Sequence, residues 1–582
     1  MKSSFILFLL ALLPSFSWGQ ATREIEGRVL DAITKEPVSF ANVYNKTLQK
    51  GTITNDDGYF RVVTGGTRDS ILVIFIGYET QVIKLTAQQD IYTIYLNESI
   101  QLLREVVVTP NDNLYLFDLL IKCRSKASSF QTNAKAYYEL KTFRDEQQIE
   151  LVEGYYNAAI SGYELSGLTL KAGRLAMQPY DNRFFASMES STAITAMKLL
   201  SNNSNFPDSP LELSKKEMRI SFDLSLDKKY VDDNADSIYV ISYEPTDTAG
   251  LFFKGTVWVN KTNNTILKIT LNCLNSKKYP FRPIFPGDTI SNVSFAITKS
   301  FTTHQGHTVF NHIDFSYIID YRSRVGEAYA QSYSIKSNAI LYAYDFRNTF
   351  LIPTFNVTDG AYSDYRKINA MPYNDFFWHY NDEYRLKDGD NSNELFFNDT
   401  YSFTNKTIFK SNPLMKSKLF QHPYIQWSED RVFFKDIAID TSAASPSADV
   451  MADKYHLGVK LFVDINTYQD STSIFSATIF DPYVSFYHLP IDNKAHCFIN
   501  MYFDICEIER RKLESELKIS LTDTRQFEKI YQELETRFEL IKTQYLKEAD
   551  RGTNEPEMKK WNTFVFDQLG INNLAIFKPF GQ

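Results

Sequence analysis

Between His488 and Arg510 the chain gathers residues able to hold a metal or move a proton: His488, His496, Asp504 and Glu507, with Cys497 and Cys506 beside them. A helix that grips zinc sets two His one turn apart on one face, with a Glu beside the first to take a proton from bound water. The stretch from Phe498 to Arg510, FINMYFDICEIER, reads as a helix and carries no such pair. Along that helix His496 and Asp504 are roughly 12 Å apart in rise, and His496 and Glu507 roughly 16 Å. Metal–ligand bonds of about 2.0–2.2 Å cannot close either gap, so His496 shares one ion with neither acid. His488, on the preceding strand, could pair with His496; a third ligand is not evident.

Other chemistry-bearing residues give weaker signals. His304, His307 and His312 lie together in THQGHTVFNH, where Gly306 marks a hairpin tip. A three-residue offset on a strand turns two side chains to opposite faces, so solvated loop histidines are expected there rather than a metal site. The aromatics from Tyr373 to Tyr380, Trp378 among them, could stack on a sugar, but packing against a sheet is the plainer reading. There is no Gly-x-Ser-x-Gly elbow and no His/Cys pairing for a nucleophile. Cys497 and Cys506 would sit roughly 13 Å apart on one helix, beyond the ~4.4–6.8 Å a disulfide spans. Cys123 falls on a separate helix and Cys273 on a strand. Buried free thiols are therefore expected, with pairing among the rest open.

The elements that must position these residues follow from composition and pattern. A chain of 582 residues has room for three or four domains. Its 36 Tyr and 45 Phe favour sheet-rich structure. A net charge of −8 argues against nucleic acid, which demands a basic face. Residues 1–19, with Lys2, an apolar run from Phe5 to Leu13 and Ser17–Trp18–Gly19, have the layout of a secretory signal peptide. That run is shorter than the ~20 residues of a membrane helix, and no later segment is long and apolar enough to be one. From Glu24 to Leu96 short alternating runs are separated by turn residues such as Asn55–Gly58 and Gly77, implying about seven strands in a β-sandwich. After a linker over 99–113 comes a helical stripe at Leu116, Leu119, Leu120 and Cys123. Strands are expected at Tyr137–Phe143, Glu150–Ile160, Met218–Leu224, Ser237–Glu244, Gly255–Asn260, Thr265–Cys273, Ser291–Thr298, Val309–Tyr317 and Ala328–Ser337. Residues 381–423 read as a linker or surface loop. Three helices are expected in 424–582: one through Phe498, Met501, Tyr502, Ile505 and Ile508 as a single apolar stripe with ERRK outside, one through Phe527–Ile541, and one from Asn554–Pro556 to Gly570.

The segments IEGRVLDAITKEPVSFANV, GTITNDDGYF and DSILVIFIGYETQVI resemble the carboxypeptidase regulatory-like (prealbumin-like) domain of exported Bacteroidetes proteins. The resemblance implies a docking or folding module without catalytic groups over 20–98, with LREVVVTP as its exit strand. The layout of 114–380 resembles the β-rich region that often follows this module. From Tyr424 onward, IQWSEDRVFFKDI, TIFDPYVSFYHLPIDNKAHCFINMYFDICEIERRKL and YLKEADRGTNEPEMKKWNTFVFDQLG resemble a family of predicted exported zinc peptidases of unknown function. That resemblance places Phe498 and Tyr502 where the two zinc His belong, Ile499 where the Glu belongs, and Arg551 in the slot of a later His. Phe offers zinc no lone pair, Ile cannot take a proton, and Arg carries a charge that repels a divalent cation.

The reading that emerges is a multidomain protein: a prealbumin-like β-sandwich, a β-rich α+β middle region, and an α+β zincin-like C-terminal domain over 424–582. Phe498 and Tyr502 are expected to fill the former metal cavity, leaving no cofactor. Such a protein is exported to the periplasm, the outer-membrane surface or beyond, and binds an unidentified macromolecular partner without catalysis. The alternatives are a zinc-dependent hydrolase rebuilt on ligands such as His488 and His496, and a glycan-binding envelope protein.

Overall fold

In a computed structural model, the protein is described over residues 23–99, 113–178, 190–354, 364–381, 396, 401–402, 424–434, 454–520 and 527–581, apart from 49, 56, 66–68, 128, 202–204, 284–286, 326–327, 469–470 and 482–484. The signal-peptide reading, LREVVVTP, and nearly all of the 381–423 linker lie outside these residues. Two compact units are present, one built on the N-terminal residues with Tyr230–Asp236, the other on the remainder.

The first unit is a β-sandwich. Strands β1 (Arg23–Asp31), β4 (Tyr59–Thr64) and β7 (Ile91–Leu96) form one sheet in the order β4-β1-β7. Strands β2 (Asn42–Asn45), β3 (Lys50–Ile53), β5 (Ser70–Ile74) and β6 (Gln81–Lys84) form the other, ordered β3-β2-β5-β6. Alternate residues point inward, so Phe60 and Val62 meet Val43, Ile71, Val73 and Ile94 in one core. The Asn55–Gly58 turn is fixed by the Asn55 side chain and by the backbone freedom of Gly58. The Asn55 side-chain oxygen accepts the Asp57 and Tyr59 N–H groups at 3.0 and 2.8 Å. Gly58 adopts φ +77°, where a Cβ would lie 2.4 Å from the Val29 carbonyl oxygen.

The second unit is organised by one large antiparallel sheet. Its strands are β8 (Gln131–Arg144), β9 (Gln147–Ser161), β10 (Glu164–Met177), β11 (Phe222–Val231), β12 (Ser237–Pro245), β13 (Gly255–Asn260), β14 (Thr265–Cys273), β15 (Thr289–His304), β16 (His307–Val325), β17 (Ala328–Tyr344) and β18 (Tyr401–Ser402). The order is β11-β12-β13-β14-β15-β16-β17-β8-β9-β10-β18. One face carries Phe295, Phe315, Tyr317 and Leu341, and against it pack helices α1 (Leu114–Lys126), α2 (Ser190–Ala196) and α3 (Lys215–Ser221) through Leu116, Ile194 and Met218.

Three expectations need correction. Met218–Ser221 is helix, not strand, because Ser214 and Glu217 form a capping box that starts a turn before β11 opens at Phe222. His304 and His307 do not face opposite ways. They are cross-strand partners over a Gln305–Gly306 turn at φ 50° and 79°, and both stand against Phe130, at 6.3 and 4.3 Å between centroids. His312 is no solvated loop residue: it is buried in the sheet beside Tyr342 and Ser300. Its burial, with Lys268 nearby, pushes the imidazole pKa down to about 3.

Helices α4 (Asp364–Ala370) and α5 (Asp375–Tyr380) follow the sheet. Phe377 and Trp378 of α5 are buried against Tyr155, which leaves Phe376 as the half-exposed ring. The indole of Trp378 is stacked 4.8 Å from the Arg174 guanidinium, so it has no face open to a sugar.

A second, small sheet belongs to the same unit: β19 (Ile425–Gln426), β21 (Val459–Tyr468) and β22 (Ser471–Phe480), ordered β19-β22-β21, with a ribbon of β20 (Tyr455–His456) and β23 (Phe486–Tyr487). The two sheets are joined by a buried ion pair. The Lys171 ammonium donates to Asp464 Oδ1 at 2.5 Å and to the Leu351 and Ile465 carbonyls at 2.6 and 3.1 Å. Asp464 Oδ2 accepts from Asn374 and Asn466 at 2.9 and 3.0 Å. Both ions therefore have their hydrogen bonds met, as burial of charge requires. Helices α6 (Asn493–Ser520), α7 (Phe527–Ala549), α8 (Glu555–Leu569) and the short α9 (Asn573–Phe577) complete the unit. All four cysteines are free and buried, Cys497 and Cys506 both on α6.

Candidate functional site: the aromatic corner of the long helix

Helix α6 is enclosed on every side over its first half, not along one stripe. From Cys497 to Glu509 every residue is buried, the polar Asn500, Asp504, Glu507 and Glu509 included. The reason is that three different layers pack around it: the small sheet, α7 with α8, and the segment Trp427–Phe434 with α9.

The buried polar residues are there because each finds partners. Asp504 accepts from Trp427 Nε1 at 2.8 Å, from an Arg431 nitrogen at 2.9 and 3.1 Å, and from Asn573 Nδ2 at 2.6 Å. Glu507 accepts from Arg510 at 2.8 Å twice, from Arg511 at 2.9 Å and from Thr478 at 2.8 Å. Burial alone would push the Glu507 carboxyl up; the hydrogen bonds and charge of Arg510, with Arg511 and Thr478, hold it below the usual range. Both acids are thus structural anchors. Glu509 and Arg510, expected on a solvated face, belong largely to this packing, while Arg511 and Lys512 are exposed.

Phe498 and Tyr502 project one turn apart toward α7, and a residue that sequence reading overlooked meets them there. Tyr545 of α7 is fully buried, its ring 5.4 Å from that of Phe498 at 18° and 6.0 Å from that of Tyr502 at 28°. Its hydroxyl donates to the Phe498 carbonyl oxygen at 2.8 Å. Trp561 of α8 meets Tyr545 edge-on at 5.5 Å, and Tyr455 of the ribbon meets Phe498 edge-on at 5.8 Å. Offset-stacked and edge-on contacts like these add to the stabilisation from burial alone. The signal for Tyr545 was present in the sequence. It continues the spacing Phe538, Ile541, Tyr545, Ala549 along α7.

Ile499 is buried in the same core. Arg551 lies on a turn between α7 and α8, at φ 59°, with its side chain 39% exposed and its Nε 3.2 Å from Asp550 Oδ1. The turn is pressed onto the start of α6: Gly552, at φ +82°, leaves room for no Cβ, which would meet the Lys494 carbonyl oxygen at 2.8 Å and Phe498 Cβ at 3.2 Å. So the fold does press the turn that carries Arg551 against α6 through Gly552, but the Arg551 side chain is 39% exposed and pairs with Asp550.

The two histidines weighed as ligands are used otherwise. His488 follows β23 with its ring 5.0 Å from Phe486. His496 lies among Phe433, Phe434 and Phe577. Its Nδ1 donates to the Asp492 carbonyl at 2.9 Å, which leaves Nε2 to accept the Phe434 N–H at 3.4 Å. Its one lone pair is therefore committed. Among the described residues no three His, Cys, Asp or Glu side chains are placed to hold a metal ion. Burial pushes the Cys497 thiol up to about 12, far from a reactive thiolate. The donor set that the described residues offer at this corner does not fit zinc.

Comparison with known proteins bears on the first unit. Residues 25–108 match the family described as CarboxypepD_reg-like domain. Over 84 residues the chain is 40% identical to the TonB-dependent receptor SusC of Bacteroides thetaiotaomicron, a stretch that is 14% of this chain and 8% of that receptor. Among solved structures, a LolA superfamily protein from Nitrosomonas europaea is matched at 12% identity over 40% of this chain and 93% of its own, with a TM-score of 0.16. A DUF1329 family protein from Desulfovibrio piger is matched at 11% identity over 41% and 96%, with a TM-score of 0.17. A putative membrane-associated protein of unknown function from Bacteroides fragilis is matched at 10% identity over 56% and 98%, with a TM-score of 0.12. Scores of that size carry no argument. The N-terminal sandwich is a CarboxypepD_reg-like domain, and the kinship it shows is with Bacteroides.

Proposed function

We propose that this chain is an exported, non-catalytic protein of the bacterial envelope that binds a macromolecular partner, and that its C-terminal part descends from a metallopeptidase whose metal corner is now packed with aromatic rings. The observation that carries this reading is that Phe498 and Tyr502, at the helix positions where the resembled family keeps its two zinc His, are stacked on Tyr545 of α7. Three further observations support it: Ile499 in the place of the proton acceptor, the committed lone pair of His496, and the engagement of Asp504 and Glu507 in structural bonds. The envelope location is supported by the signal-like residues 1–19 and by the N-terminal module shared with a protein named as a TonB-dependent receptor. No helix among the described residues is long and apolar enough to cross a membrane.

The test of non-catalysis is a peptide-library digest by the purified chain, with zinc added and with chelator. No cleavage above background is expected in either arm. Zinc-dependent turnover by the purified chain that the chelator abolishes would overturn the proposal.

A further inference from the structure

We draw no further inference here: the strongest candidate, the buried cluster of Tyr137, Glu139, Glu153 and Arg174 on the face of the large sheet covered by Trp378, closes on itself in hydrogen bonds and an ion pair, and nothing in the structure shows what covers the partly exposed rings of Phe376, Tyr380 and Tyr468 beside it.

Discussion

Removing Tyr545 probes the aromatic corner from the α7 side, opposite Phe498 and Tyr502. The ring is fully buried and touches Phe498, Tyr502 and Trp561, so Tyr545→Ala leaves a void that three other rings cannot fill without leaving their own positions. Truncating a buried aromatic of this kind costs about 3–5 kcal/mol. Tyr545→Phe keeps the ring and removes only the hydroxyl bonded to the Phe498 carbonyl, at a cost of about 1 kcal/mol. The pair of variants thus separates packing from hydrogen bonding. Native-state hydrogen exchange reads it locally: amides of 493–508 should lose protection by roughly a thousandfold for ~4 kcal/mol in Tyr545→Ala, and by only about fivefold in Tyr545→Phe. Equal and small losses in both variants would refute the reasoning, because they would mean that the corner is not close-packed.

Other expectations follow from the same structure. Phe498→His with Ile499→Glu and Tyr502→His puts polar groups into this core, so the melting temperature of the metal-free protein should fall sharply; an unchanged value would contradict the packing. Lys171→Met strands the Asp464 carboxylate and should cost about 3–5 kcal/mol, with Lys171→Met plus Asp464→Leu recovering much of it in a denaturation series. His312 is held neutral, with a folded pKa near 3 against an ordinary value of 6.5. Between those values the unfolded chain binds the extra proton, so stability falls as pH falls, by up to about 1.4 kcal/mol per pH unit. A His312→Gln variant should flatten the pH 6.5–5 part of a stability profile, before carboxylates such as Glu507 titrate. If the slope there is the same in both proteins, His312 is not its source.

Much of this architecture was legible because its signals are local. The Asn55–Gly58 turn, the short break between the strands Gly255–Asn260 and Thr265–Cys273, and the Asn554–Gly570 limits of α8 each announce themselves within a few residues. β10 escaped notice because bulges at Leu165/Gly167 and Leu170/Ala172 twice interrupt its alternation. The seven-residue α3 escaped because it runs directly into β11. At the candidate site the two rings on α6 were legible from spacing, but their partner Tyr545 and the anchors of Asp504 come from distant segments. The Lys171–Asp464 pair joins residues 293 positions apart, and no periodicity reports such a contact. Nor does spacing reveal that Asp504, Glu507 and Glu509 of α6 would be buried, since burial of a carboxylate depends on partners such as Arg431 and Asn573 for Asp504 that only the fold assembles.

The most direct measurement is the zinc content of the purified chain, taken together with its melting curve before and after exhaustive chelation. Aromatic packing at Phe498, Tyr502 and Tyr545 predicts substoichiometric metal and superimposable curves. One tightly held zinc per chain, with a marked drop in melting temperature once it is stripped, would contradict the account.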